Sequence, residues 1–161
     1  MDREARSKVI SFLFILAVGA VIFFVIRNNI DKKREQARIA EAAEVGDLGK
    51  INVNINGSVY VASLESNKTA QEFLSKLPLS IEATDYNNLA KSGLLYFKLM
   101  GNSIRYTEVQ AGDIMLSGES KIYIFYKSDN IKEKFTKIGH IDKIKELDNS
   151  SVTIGFVKPE K

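Results

Sequence analysis

The chain has 161 residues, 45% hydrophobic and 27% charged, with 10 Gly and 2 Pro, which is the balance of a globular protein and excludes collagen-like, low-complexity and disordered chains. It carries 23 Lys+Arg against 20 Asp+Glu, dispersed along its length, so nothing in its charge argues for a nucleic-acid partner. With no Cys and 1 His, disulfides, thiolate zinc sites, iron–sulfur clusters, thiol nucleophiles and multi-histidine metal sites are excluded.

Residues 1–8 read as a short tail. From Val9 to Ile26 the chain runs VISFLFILAVGAVIFFVI without a charge. As a helix this spans about 27 Å, close to the hydrocarbon thickness of a bilayer. Arg3, Arg6 and Lys8 precede it, and Arg27, Lys32, Lys33 and Arg34 follow, placed to reach headgroups at both ends. The run is longer than the core of a cleaved leader and ends in Arg-Asn-Asn-Ile-Asp instead of at a small-x-small site, so it is expected to be a retained, single-pass anchor in the lipid bilayer. The flanking Lys and Arg do not decide its orientation.

Residues 27–49 are expected to form a helical stalk. Asp31 suits a helix start, the stretch to Val45 is rich in Ala, Glu, Lys and Arg, and Gly46 suits the position past its end. At residue 50 the pattern changes to period two. Ile51, Val53 and Ile55 alternate with asparagines, Asn56-Gly57 predicts a hairpin, and Val59–Val61 resumes the strand. Asn67 then caps a helix with Ala70, Phe73, Leu74 and Leu77 on one face, ended by Pro78. Further strands are expected at Leu79–Ala83, Leu94–Leu99, Ile114–Leu116, Lys121–Lys127, Phe135–Ile138 and Val152–Val157, with a short helix at Ile141–Leu147. Lys121–Lys127 is apolar or aromatic on both faces, as in a covered sheet. Short strands at this spacing with two helices indicate a mainly β domain over 50–161, a small barrel or sandwich capped by helices.

The order of these motifs is distinctive. The Asn-Gly hairpin, Thr69–Leu74, Leu77-Pro78-Leu79, Ala111-Gly112-Asp113-Ile114-Met115-Leu116, Ile124-Phe125-Tyr126 and Lys137-Ile138-Gly139-His140-Ile141-Asp142 together resemble the bacterial cyclophilin-like domain family, from about Ile51 to Val157. That resemblance implies a closed, eight-stranded β-barrel with helices at its open ends. It also implies a domain displayed outside the cytoplasmic membrane, here by a membrane helix instead of a lipidated Cys and with a shorter, lysine-rich loop around Asn87–Gly93. Cyclophilins act on proline with an arginine beside Phe-His and an aromatic and Met pocket. This chain has no Trp and no Phe-His-Arg, and Arg105 is the one arginine of the domain.

Candidate chemistry is sparse. His140 and Asp142 lie two apart, so on a strand they would share a face and pair, with Ser117, Ser120 and Ser128 the serines considered as partner nucleophiles. Asp113 after Gly112 reads as a turn former accepting a backbone hydrogen bond. No catalytic residue, cofactor site or metal site is assigned. Tyr96, Tyr106, Met115, Tyr123 and Phe125, with Arg105, are the candidate ligand-binding residues at a barrel pocket. The expected function is an extracytoplasmic, membrane-anchored domain binding a peptide or small-molecule ligand without catalysis. The alternatives are a tethered peptidyl-prolyl isomerase and a structural subunit assembled with other membrane proteins.

Overall fold

The computed structural model describes the backbone of residues 3–159 and the side chains of Leu16, residues 18–104 and residues 106–159. The chain divides into two compact units, Met1–Ala40 and Glu41–Lys161.

Helix α1 (Arg3–Val45) is continuous. It does not restart at Asp31, because no Gly or Pro lies between Ala20 and Val45 to interrupt it. It ends where the sequence places its stop: Gly46 adopts φ 73, and its amide donates to the Ala42 carbonyl at 2.9 Å. The expected membrane span begins at Val9, but the side chains of Val9–Ile15 and Ala17 lie outside the described residues. Among the described residues no helix is long and apolar enough to cross a membrane.

The second unit contains α2 (Lys68–Ser75) and eleven strands: β1 (Lys50–Ile55), β2 (Ser58–Leu64), β3 (Leu79–Tyr86), β4 (Ala90–Leu94), β5 (Ile104–Arg105), β6 (Glu108–Val109), β7 (Asp113–Ser117), β8 (Lys121–Phe125), β9 (Asp129–Asn130), β10 (Lys134–Ile141) and β11 (Val152–Val157). Eight of them pair in the order β2-β1-β11-β3-β4-β8-β7-β10, and β10 returns to β2, closing an antiparallel barrel as the resemblance implies. Closure leaves no edge among these eight. Strand β5 adds to β10 outside the ring, and β6 pairs with β9 as a separate ribbon.

Alternation fills the barrel. Ile51, Val53 and Ile55 of β1 are buried with Ile81, Ile114, Leu116, Ile122, Ile124, Ile138, Ile154 and Phe156, each worth about 1.5–3 kcal/mol when fully buried. The β1–β2 turn has Asn56 at φ 48 and Gly57 at φ 85, the two positive values a tight hairpin requires. In α2, Asn67 Oδ1 accepts from the Ala70 amide at 2.8 Å, while Ala70, Phe73 and Leu77 are buried against the barrel core. Phe73 meets Phe156 edge-on at 5.2 Å between centroids. The Leu77-Pro78 peptide is cis.

Two expected elements are corrected. The strand placed at Leu94–Leu99 is instead β4, Ala90–Leu94, because Asn87 and Asn88 take positive φ (54 and 55) and turn the chain straight back onto β3. The supposed lysine-rich loop at Asn87–Gly93 therefore contributes Lys91 to a strand. The segment Ile141–Leu147 forms no helix: β10 runs through Ile141, and a turn at Asp142 leads into irregular chain. Ile144 and Leu147 still pack on the core, so their spacing is satisfied by tertiary contacts rather than by a helical face.

Candidate functional site

Side chains that point out of the barrel wall at β7, β8 and β10 build a second apolar cluster. Met115, Tyr123, Phe125 and Phe135 alternate with inward neighbours and are buried with Leu89, Ala90 and Val109, while Tyr86, Tyr106 and Ile131 are partly buried against them. Tyr123 stacks on Phe125 (centroids 6.1 Å, 15°), and Phe135 meets both edge-on at 5.3 and 5.8 Å. The cover comes from the segments around β5, β6 and β9. Ile131 N donates to the Thr107 carbonyl at 3.0 Å, and Tyr106 N donates to the Glu133 carbonyl at 2.9 Å.

Beside this cluster lies a cavity of about 260 Å³ with apolar walls of Tyr86, Leu89, Phe125 and Phe135 and a polar rim that includes Asp129 and Glu133. Tyr86 Oη donates to Glu133 Oε1 at 2.8 Å. That hydrogen bond, with burial and the Glu133 charge, pushes the phenol up to about 12.

Of the six residues singled out in sequence, Met115, Tyr123 and Phe125 join this cluster and Tyr106 packs against it. The Arg105 backbone pairs with Lys134 at the edge of the same region, and its side chain lies outside the described residues. Tyr96 is not brought to the cluster: it follows β4 and is 82% exposed. Tyr86, Leu89 and Phe135 went unnoticed as wall residues. Phe135 sits on an apolar stretch of β10, a visible signal, but the cross-strand neighbours that make it a wall are not.

A wider concavity of about 470 Å³ lies on the outer surface of β1, β11 and β3, floored by Asn54 and Gly155 and bordered by Val59 and Thr153. Two of its asparagines hold the hairpin instead of facing a ligand. Asn54 Oδ1 accepts from Gly57 N at 2.7 Å, and Asn56 Oδ1 accepts from Thr153 N at 3.3 Å.

Two polar centres complete the inventory. Lys91 on β4 is fully buried, and its ammonium donates to the Asp148 carbonyl, to the Ser150 carbonyl at 2.8 Å and to Asp85 Oδ1 at 3.4 Å. Tyr126 Oη donates to the same carboxylate oxygen at 2.5 Å. Burial acts to raise the Asp85 carboxyl, but the bonds from Tyr126, the Asn88 amide and Lys91 outweigh it and hold its pKa below the usual value. Burial and the Asp85 contact push the Tyr126 phenol up. Three ammonium protons meet three acceptors, so this centre is a clamp without a spare donor.

The second centre corrects the expected His140–Asp142 pair. Asp142 lies in the turn beyond β10 and is exposed. Asp113, directly opposite His140 in the β7–β10 register, is 3% exposed and takes its place. Asp113 Oδ1 accepts from His140 Nδ1 at 2.9 Å and Lys137 Nζ at 2.8 Å, and Oδ2 accepts from the Gln110 amide at 3.0 Å. Burial opposes ionisation, but Lys137, the Gln110 amide and His140 hold the carboxyl below its ordinary value. The serines considered from sequence do not meet His140. Ser117 pairs with Lys121 at the far end of β7, Ser120 lies in the following turn, and Ser128 Oγ accepts from Ala111 N at 2.9 Å. Among the described residues no group of three His, Asp or Glu side chains converges to hold a metal ion.

Compared with known proteins, residues 53–156 match the model of a family described as the Cyclophilin-like family. No curated protein and no solved structure matches the chain. The matched span starts at a core residue of β1 and ends at a core residue of β11, and so takes in β2, β3, β4, β7, β8 and β10 entire with parts of β1 and β11. The chain belongs to the Cyclophilin-like family.

Proposed function

We propose that the chain is a single-pass membrane protein whose cyclophilin-like barrel lies outside the cytoplasm and binds a peptide or small ligand without catalysis. The observation that carries the binding reading is the aromatic cavity outside the barrel wall. At about 260 Å³ it is near the lower bound for ligand sites, so it suits one apolar peptide side chain or a small molecule. Tyr86, Leu89, Phe125 and Phe135 supply the apolar walls, and the Tyr86–Glu133 hydrogen bond pre-sets one polar edge.

Anchoring is supported by the uncharged stretch Val9–Ile26 and its basic flanks. Ile22, Phe23, Phe24, Val25 and Ile26 are successive residues of α1, point around the whole helix, and are each 49–69% exposed. A helix apolar on all sides lacks a polar face for water. Location outside the cytoplasm rests on the resemblance to exported domains. Protease added to spheroplasts should digest the barrel, and protection of the barrel while control proteins are cut would reverse the assignment.

Binding is tested by amide chemical shifts of the protein titrated with a short Phe-Pro peptide. Shifts should centre on Tyr86, Leu89, Phe125 and Phe135 and vanish in Leu89→Trp, which fills the cavity. Shifts confined to Asn54 and Gly155 would move the site to the other concavity, and no shifts at millimolar peptide would reject this ligand class.

A second reading, prolyl isomerisation, is prompted by the backbone of β5: Ile104 pairs with Phe135 of the aromatic cluster, and Arg105, the one arginine of the domain, is the next residue along. Uncatalysed isomerisation takes tens of seconds, so weak acceleration is measurable. Acceleration abolished by Arg105→Ala would establish that reading in place of simple binding.

A further inference from the structure

We propose that the aromatic cavity takes the amino terminus of a peptide: an apolar first side chain enters against Leu89, Phe125 and Phe135, and its α-ammonium is held at the mouth by Glu133 and Asp129. This deepens the binding reading of that cavity and rests on it.

The cavity is graded from apolar to acidic. Leu89, Phe125 and Phe135 are buried and form its inner wall. Asn87, Asp129, Asn130, Lys132 and Glu133 are exposed and form its mouth, where two carboxylates stand against one ammonium. Each carboxylate keeps an oxygen for a ligand. Glu133 Oε1 accepts from Tyr86 Oη at 2.8 Å, and Asp129 Oδ1 accepts from the Asn130 amide at 2.7 Å. Glu133 Oε2 and Asp129 Oδ2 accept no hydrogen bond among the described residues.

Main-chain bonds fix this mouth. The Ile131 amide donates to the Thr107 carbonyl, the Tyr106 amide donates to the Glu133 carbonyl, and Glu108-Val109 pairs with Asp129-Asn130. The acids are therefore placed before a ligand arrives, and binding costs little ordering of the main chain.

The order of the layers selects the ligand. A lysine or arginine side chain carries its charge at the tip, so entering would press that charge against the phenylalanines and away from both carboxylates. An interior peptide residue brings a neutral amide to the mouth, with no charge to match the two acids. An amino-terminal residue bears its ammonium on the same carbon as its side chain, so the charge stays at the mouth while the side chain goes in. The ammonium has three N–H donors for the free Glu133 and Asp129 oxygens. The side-chain amides of Asn87 and Asn130 make no hydrogen bond among the described residues and supply donors and acceptors for the first peptide bond.

The test is titration of the full chain with Phe-Pro-Ala amide, its amino terminus free or acetylated, and with phenethylamine, read by the amide shifts of Leu89, Phe125 and Phe135. The free peptide should bind about tenfold more tightly than the acetylated one, as a charge-assisted hydrogen bond allows. That preference should fade from about pH 7 to about pH 9.5, as the α-amino group loses its proton near pH 8. It should also disappear in the double variant Glu133→Gln, Asp129→Asn. Equal binding of the two peptides, or tighter binding of the acetylated one, would overturn the proposal and leave the apolar binding reading standing. No binding of either at millimolar concentration would reject both. Phenethylamine keeps the ring and the ammonium but not the peptide, so it should bind more weakly than the free peptide; equal binding would hand the site to small amines and overturn the assignment. A preference that ignores pH or survives the double variant would overturn it too. If that variant does not fold, the pH comparison on the wild type decides.

Discussion

Asp113 and His140 face one another across β7 and β10, joined at 2.9 Å between Oδ1 and Nδ1, and each opens or closes a motif that the other completes. The Ala111-Gly112-Asp113 turn brings its glycine under the imidazole, while the Ile141 amide donates to the Gly112 carbonyl at 2.9 Å. The Gly139-His140-Ile141 stretch supplies the ring above and the carbonyl alongside. Two short sequences 27 residues apart are therefore one structural joint.

That joint predicts a pH signature. The Asp113 carboxyl is held below its ordinary value, so its contribution to stability is present above about pH 4, the unfolded value, and is lost as pH falls through the lower folded value. Asp113→Asn should be destabilised relative to wild type at pH 7, with the difference narrowing below about pH 4. Urea denaturation at pH 7, 5 and 3 measures it. A gap of constant size at all three would mean the ionised carboxylate is not what holds the joint.

Gly112→Ala should be among the most damaging single-methyl additions in the chain. The new Cβ would collide with the Ile141 carbonyl oxygen, in a backbone conformation (φ +103) that alanine resists. A loss of about 3 kcal/mol or more is expected from strain and the broken β7–β10 joint. Gly57→Ala is the control: it also has positive φ, but open space around the Cβ, and should lose only about 1–2 kcal/mol. Equal losses for the two would show that backbone conformation, not the close approach, governs Gly112.

Much of this architecture was legible from residue patterns, and the failures have a common physical origin. The Asn56-Gly57 turn, the Asn67 cap, the β1 alternation and the Gly46 stop are decided within a few residues, so the sequence carries them whole. Strand β4 was missed because Ala90-Lys91-Ser92-Gly93 has none of the composition of a strand; its pairing with β3 and β8 decides it, and Gly93 is needed because a Cβ would come within 2.5 Å of the Glu82 carbonyl oxygen. The candidate site fared similarly. Tyr123 and Phe125 were visible as aromatics on a strand with two apolar faces, whereas Asp113 in place of Asp142 depends on register, which no local pattern encodes.

Lys91 is the sharpest case of a residue whose type misleads. A lysine reads as surface, yet this one is fully buried and ties the 142–151 connection to the barrel through the Asp148 and Ser150 carbonyls. Lys91→Met keeps the volume but leaves two carbonyls and the Asp85 carboxylate short of a partner. A loss of about 3 kcal/mol is expected, the lower end for a broken buried pair, because Asp85 keeps some solvent and the Tyr126 bond. Equilibrium unfolding of the variant measures it, and a change within about 0.5 kcal/mol would show the clamp to be dispensable.

The Tyr86–Glu133 bond gives the cavity its own titration. With the phenol pushed up to about 12, Tyr86 should remain protonated through the range in which an ordinary tyrosine ionises near pH 10. Its stabilising contribution is full below about pH 10 and is lost as pH rises toward 12. Glu133→Gln removes the charge and should return the phenol toward the ordinary value, visible as one extra tyrosinate in ultraviolet absorbance between pH 10 and 11. An unchanged titration curve would mean the Tyr86 hydroxyl does not engage Glu133 in solution.

The barrel should fold without the N-terminal helix, and the position of the cut should matter in a graded way. Within the unit Glu41–Lys161, the end of α1 contributes two exposed contacts: Lys68 N donates to Glu41 Oε1 at 3.0 Å, and Lys68 Nζ lies 3.2 Å from Glu44. Exposed pairs of this kind are worth about 0–1 kcal/mol each. Past them, Leu48 is partly buried on the barrel core, and the Leu64 amide donates to the Gly49 carbonyl at 3.0 Å. A fragment beginning at residue 41 should keep all of this, and one beginning at 50 should lose the Leu48 packing and that hydrogen bond, about 2 kcal/mol together. Since 1 kcal/mol shifts the melting temperature of a domain this size by about 4–8 °C, the shorter fragment should melt roughly 10 °C lower, still cooperatively. Both should give strand-dominated far-ultraviolet circular dichroism, because β1–β11 lie wholly within 50–161. Coincident melts would show that Leu48 and Gly49 contribute nothing measurable, and a helix-dominated spectrum or a broad, non-cooperative melt of the 41–161 fragment would mean that the closed barrel is not a self-sufficient folding unit.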